Sequence, residues 1–260
     1  MPTTRAIVLT DVPDVDEAWH HKQIASTASR LSATAQLCEK EQNGFEDIVK
    51  AFEEQYMTLY DFPETTDLAA LEQRIRVEDD STPPKGVRFD ARFLEEIRRV
   101  ETDDYAERKS QTKVHIVTYF RPRKGTEEAT LAWLCAEVYP ALINDPNMIS
   151  VLVYKVSHST LFADGVQQKA DFEEGCDFVS VFEMTSDELP WEALVIMGQS
   201  EGWGEFMDGC TRWCGVQFAV KQTWGTSEVD TPIVNGKTAN GTANGHVAAG
   251  DHAAALPAVQ

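Results

Sequence analysis

The sequence predicts an α+β fold made of two β-α-β-β-α-β repeats in one chain, whose two sheets meet across an interior. Three observations carry the expectation. The order of strand-like and helix-like segments restarts near residue 114. HIVTYFRP (115–122) lies over AIVLTDVP (6–13) with the proline in register, and FVSVFEM (178–184) lies over YMTLYDF (56–62), aromatic for aromatic and acid for acid. A repeat of this length signals a duplicated unit, and repeats weigh more than any single element.

In the first repeat, the β-rich run Ala6–Leu9 ends at a proline turn. Asp14 or Asp16 is placed to cap a helix from about Glu17 to Arg30, with Trp19, Gln23, Ile24 and Thr27 at helical spacing. Strands are expected near 33–38 and at 55–62. Pro63 to Asp67 then opens a helix running through Arg76, followed by the acidic link 78–85. The stretch 89–100 alternates imperfectly and reads either as a short edge strand or as a helix.

The second repeat begins with a strand over Val114–Phe120. Gly125 to Glu128 opens a helix through Trp133 to Leu142, with Pro140 near its exit. Strands follow at 148–156 and 176–184, residues 185–188 cap a further helix, and 211–224 closes with a strand. Boundaries are set at 1–110 for the first half, 111–225 for the second and 226–260 for a tail. That tail lacks aromatics and repeats Thr-Ala-Asn-Gly, a composition that cannot bury enough to order itself.

A β-α-β-β-α-β unit is the ferredoxin-like arrangement, one antiparallel sheet with both helices on one face. The open face needs a partner sheet, because an uncovered aromatic face would aggregate. Two copies in one chain supply it to each other, giving an intramolecular α+β barrel. A monomer therefore suffices, and further association is left open.

Composition narrows the function. With 42% apolar and 25% charged residues, the chain is of ordinary globular type. A net charge of −20 argues against nucleic acid and anionic membrane surfaces, which need clustered Lys and Arg. There is no signal-like N-terminus and no long apolar run, so a cytoplasmic location with the five cysteines as free thiols is expected. Cys210 and Cys214 read as packing, since no second pair or histidine completes a zinc set. No nucleotide fingerprint, Ser-centred elbow or metal-ligand cluster occurs; no cofactor and no metal is expected.

Trp133, Glu137 and Pro140, with Trp19 and Gln23 more loosely, and the strands at Tyr56–Asp61 and Phe178–Glu183 resemble the EthD-like branch of the dimeric α+β barrel superfamily, in the tandem form found among fungal proteins. The resemblance spans roughly residues 5–224. It implies the barrel fold and cofactor-independent chemistry on a small, largely apolar polyketide- or terpenoid-like molecule. Cyclisation or isomerisation is the first choice, and decarboxylation or cofactor-free oxygenation the alternative; a non-catalytic carrier or stress-associated binding protein is the competing class. The family histidine falls at Ile24 and Val138, so it is absent from both halves. His20 and His21 sit at non-equivalent positions and read as helix surface.

Alternation on 113–121 places His115, Val117, Tyr119 and Arg121 on the inter-sheet face, and Val114, Ile116, Thr118 and Phe120 toward the helices. His115 is the expected general base, Tyr119 a hydrogen-bond donor to a carbonyl and Arg121 the holder of negative charge. The structural alternative is a histidine satisfied inside the barrel and an arginine at its rim. Val117, Tyr60, Asp61, Tyr154 and Glu183 are the expected lining of the same space. Asp61 and Glu183, at matching strand ends, fit ion pairs with arginines better than catalysis. His158 is assigned to a loop.

Overall fold

The computed structural model describes residues 4–13, 16–41, 54–62, 86–163, 166–169 and 176–225. The expected helix over 63–76, the link 78–85, the tail from 226 and Asp14 lie outside the described residues.

The first half contributes β1 (Thr4–Asp11), α1 (Glu17–Leu31), β2 (Thr34–Lys40), β3 (Tyr56–Phe62) and β4 (Arg88–Glu101). A one-turn helix, α2 (Tyr105–Arg108), leads into the second half. There follow β5 (Val114–Arg121), α3 (Glu127–Trp133), a π-helical turn (Leu134–Val138), α4 (Tyr139–Ile143), β6 (Met148–Ala163), β7 (Val166–Lys169), β8 (Phe178–Met184), α5 (Trp191–Gly198), a second π-helical turn (Trp203–Met207) and β9 (Arg212–Trp224). No helix among the described residues is long and apolar enough to cross a membrane.

Both halves follow one spatial order, β4-β1-β3-β2 and β9-β5-β8-β6, with every neighbouring pair antiparallel. Two seams join them, β2 to β9 and β4 to β6, and the second seam closes an eight-stranded barrel. Eight strands leave an interior just wide enough for side chains to fill. Here Ile7, Leu59, Val117, Tyr154, Val181 and Phe218 are among those that fill it.

The stretch 89–100 is neither a helix nor an edge. It is a 14-residue seam strand bonded on both sides, to β1 and β6. Its pairing with β6 shifts register at Phe93/Leu94 and again at Glu96/Arg98. Two bulges break the period of two, which is why the alternation reads as imperfect.

The match of prolines misplaces the repeat by one residue. β1 sets Arg5 opposite Asp61, and β5 sets His115 opposite Glu183. Equivalent positions are therefore Arg5 and His115, not Ala6 and His115. His158 lies on β6, paired with Phe93, rather than in a loop. Residues 185–188 form a turn, in which Ser186 Oγ accepts from the Glu188 N–H, and the helix starts only at Trp191. At the start of α1, Asp16 occupies the cap position without a side-chain cap bond.

The outer faces carry the helices. On α1, His20, Ile24, Ala28 and Leu31 form the buried stripe and pack on small residues such as Ala6, Ala33 and Ala35. Ser32, at φ 52°, ends the helix in the left-handed region and lets Ala33 N–H reach Ala28 O at 2.9 Å. His20 is thus buried, against Tyr56 at 5.6 Å, rather than on the surface.

In the second half Pro140 has no N–H to donate back along its helix, and the ladder there widens into the π turn before α4. The Trp133 indole N–H bonds Glu137 Oε2 at 3.1 Å, and its ring stacks on Phe206 at 5.4 Å. Gly202 lies so close beneath it that a Cβ would overlap the Trp133 indole. Gly202→Ala should therefore cost about 1–3 kcal/mol in chemical denaturation, by overpacking. An unchanged midpoint would show that the indole swings aside freely.

Candidate functional site

Two groups of residues stand out, and β5 separates them. The first is polar and lies inside one end of the barrel. Arg5, 2% exposed, bonds Asp61 through Nε and Nη2, the latter at 3.1 Å, and reaches Glu183 Oε1 at 3.4 Å. Ser150 Oγ donates to Glu183 Oε2 at 2.8 Å. The Arg5 guanidinium carbon stands 5.6 Å from the Tyr154 ring centroid. His115 Nε2 lies 2.8 Å from Gln36 Oε1, an acceptor, which places the imidazole proton on Nε2 and leaves Nδ1 as a lone pair. Arg5 Nη1, His115 Nδ1 and the Tyr154 hydroxyl are buried polar atoms with no hydrogen-bond partner among the described residues. α2 anchors beside this end, where Arg108 donates to the Met148 and Pro146 carbonyls at 3.1 and 2.6 Å.

Electrostatics fix the charge states. Burial opposes both charges, yet Asp61, Tyr154 and Glu183 hold the Arg5 pKa well above its ordinary value, and Arg5 holds the Asp61 carboxyl below its own. Burial drives the His115 imidazole down to about 4; Glu183 and Asp61 pull against that, while Arg5 adds to it. His115 is therefore neutral at physiological pH. It can accept a hydrogen bond at Nδ1, but it is a weak base.

The sequence-expected residues distribute unevenly. His115, Asp61, Tyr154 and Glu183 meet in this cluster. Val117 is packed in the barrel core. Tyr119 is four residues from His115, about 13 Å along the strand, with Arg92 over its ring at 4.3 Å. Arg121 is farther still, at the rim, held by Asp177 through two bonds of 3.1 Å. The His115–Tyr119–Arg121 line is thus not one constellation. Tyr60 faces the other way, beneath α1, stacked on Phe62 at 6.2 Å. Arg5, which organises the cluster, was missed; its placement opposite an inward acid was the available signal.

The second group is apolar and lies on the outer face of the second half. A cavity of about 350 Å³ opens between that face and the helices, at the low end of the range for small-molecule sites. Ile116 and Phe120 form its floor; Val138 and Leu142 of the π turn and α4, Trp191 of α5 and Trp203 of the second π turn form its walls. Trp191 and Val195 stand at its edge, 50% and 55% exposed. Thr118 and Tyr139 are the lining residues that carry hydroxyls; the Tyr139 hydroxyl lies 2.7 Å from the Oγ of Ser180, behind the wall, and burial raises the phenol's pKa, so it stays protonated. The expected ligand space was between the two sheets; this cavity lies between one sheet and its helices, while apolar side chains such as Ile7, Val117 and Phe218 pack along the barrel axis. Among the described residues no three His, Cys, Asp or Glu side chains converge as metal ligands.

No family model and no curated protein matches the chain. Solved structures do. An anthrone oxidase-like protein superposes with a TM-score of 0.53 at 12% identity, over 87% of this chain and 94% of that one. A mutant chlorite dismutase from Candidatus Nitrospira defluvii, in complex with cyanide, gives 0.53 at 7% identity, over 84% and 90%. At such identities the likeness is one of fold, the ferredoxin-like α+β barrel.

Two outcomes follow from the polar cluster. His115 binds its proton near pH 6.5 when unfolded and near 4 when folded. Stability is therefore lost as pH falls across that window, on the order of 3 kcal/mol in all. Denaturation midpoints of the wild type should fall more steeply toward about pH 4 than those of His115→Asn; parallel curves would refute it. Arg5→Met should cost about 3–5 kcal/mol, by leaving the buried Glu183 and the half-buried Asp61 without a cation. Adding Asp61→Asn and Glu183→Gln should recover much of the loss, and no recovery would mean that packing, not charge, was removed.

Proposed function

We propose that the chain takes a small, largely apolar organic molecule into the cavity beneath the helices of its second half, and directs its cyclisation or isomerisation chiefly by shape. The observation that carries this reading is the cavity wall, apolar almost throughout among the described residues, with side-chain hydroxyls on Thr118 and Tyr139. An enclosed apolar space folds a flexible molecule into a reactive conformation. The phenol, protonated and hydrogen-bonded, can donate to one carbonyl or hydroxyl of that molecule. This is also the setting in which EthD-like, cofactor-independent chemistry would operate. The fold's occurrence in an anthrone oxidase-like protein makes anthrones the first molecules to try.

A second reading is a carrier that releases its ligand unchanged. It is supported by the same wall, which among the described residues includes no carboxylate, imidazole or guanidinium able to move a proton.

Binding is read with the neutral fluorophore N-phenylnaphthylamine, through energy transfer from Trp203 and Trp213, which line the cavity. Filling the space with Val138→Phe and Leu142→Phe should weaken binding at least about tenfold, a loss of roughly 1.4 kcal/mol, with the circular dichroism retained. Undiminished binding would place the ligand elsewhere. For a metabolite found to bind, product formation lost in Tyr139→Phe with binding kept supports the enzyme; recovery of the molecule unaltered from the wild type supports the carrier.

A further inference from the structure

The floor of the cavity holds one residue that its apolar surroundings do not explain. Thr118 stands half-buried between Ile116 and Phe120 on the outer face of β5 and lines the cavity with them. Strand alternation places its side chain on that face. Valine would fill the same volume with the same strand preference and no hydroxyl to desolvate. Among the described residues nothing takes up the Thr118 hydroxyl.

Register sets its neighbours. On one side Thr118 is paired with Ser180 of β8, whose Oγ lies 2.7 Å from the Tyr139 hydroxyl. A direct cross-strand pair holds its Cβ atoms about 4.5–5.5 Å apart, so the Thr118 and Tyr139 hydroxyls share one corner of the cavity. On the other side Thr118 is paired with Gly215 of β9, which has no side chain to cover it. Tyr139 lines the cavity as Thr118 does, whereas Ser180, at 0% exposed, is sealed behind them.

We propose that Thr118 is the specificity-determining residue of the cavity: with Tyr139 it brackets a single carbonyl oxygen, so the ligand is an apolar ring compound bearing a ketone. This rests on the reading of the cavity as a ligand site and names the polar group that the ligand carries. Ser180 donates to the phenolic oxygen, and the Tyr139 proton turns toward the cavity beside that of Thr118. Two O–H donors that each stand about 2.7–2.8 Å from one shared oxygen are at most about 5.5 Å apart, a separation that the pairing of Thr118 with Ser180 allows. A carbonyl oxygen has two lone pairs and no proton, so it uses both donors and needs no acceptor in return. An alcohol brings a proton of its own, and among the described residues the wall has no carboxylate or imidazole to receive it. Phe120, Phe182, Trp203 and Trp213 offer aromatic faces to the rings. A hydrocarbon in the same place leaves both hydroxyls unpaired, at the desolvation cost of each.

The test uses the full chain and two probes of matched shape, 2-acetylnaphthalene and 2-isopropenylnaphthalene, in which a methylene replaces the carbonyl oxygen. Each is titrated against bound N-phenylnaphthylamine. Thr118→Val should lower the ratio of ketone to hydrocarbon affinity by about fivefold, through weaker ketone binding, with the hydrocarbon and the fluorophore bound at least as tightly as before. Thr118→Ser should restore the ratio. In the infrared, the stretching band of an isotope-labelled carbonyl should lie lower in the wild-type complex than in hexane and move part of the way back in Thr118→Val, a shift that altered packing alone does not produce. A ratio unchanged in Thr118→Val, or a wild-type band at its hexane position, would overturn the proposal while fluorophore binding leaves the cavity standing as a ligand site. Failure of the fluorophore to bind the wild type would remove that underlying reading, and this one with it. The wild-type band decides the matter even where a variant misfolds.

Discussion

A buried guanidinium holds the two halves of this barrel to one arrangement. Arg5 belongs to the first half, yet it is shared between Asp61 of its own half and Glu183 of the other. Charges taken out of water cost several kcal/mol each, and only close, hydrogen-bonded partners offset that. Through Ser150 to Glu183, and through His115 to Gln36 beside them, the same cluster touches β1, β2, β3, β5, β6 and β8. A slip of one residue in any of these strands would turn a charged or polar group onto the oily face beneath the helices. The cluster thus acts on register more than on net stability.

What the sequence made legible was local. The alternation of β5 assigned its inner and outer faces correctly, because strand geometry alone dictates a period of two. Asp61 and Glu183 were recognised as matching, inward acids, with arginine the better partner. What was lost depended on distance and on bulges. Pro13 and Pro122 look equivalent, but they stand one residue apart relative to the facing strands, and neither composition nor motif reports that offset. Arg5, near the chain start and ahead of an apolar run, reads as a solvated terminus until its partners arrive from residues 61 and 183. β4 concealed itself by bulging twice.

The cavity was illegible for a different reason. Val138, Leu142, Met197 and Trp203 each look like ordinary core, and in most helices they would be. Two π turns shift the wall residues around their helix axes, so that the layer over the second sheet does not settle as closely as α1 does on its alanines. No residue type announces that outcome. Among the described residues, α1 sits on its alanines in the first half, and an apolar recess opens in the second.

Consecutive residues of β5 make the chemical consequence explicit. His115 points into the barrel and Ile116 into the recess, so the thickness of the sheet separates the buried His115 imidazole from the proposed ligand space. An imidazole driven down to about 4 and walled off by its own backbone cannot serve as general base for a molecule on the other face. Among the described residues, the recess offers a reaction hydroxyls, indoles and confinement. This favours transformations whose barrier lies mainly in adopting a folded shape over those that need a strong base. On the proposed reading, Arg5, Asp61, His115 and Glu183 hold the scaffold, and the apolar residues of the recess contact the ligand.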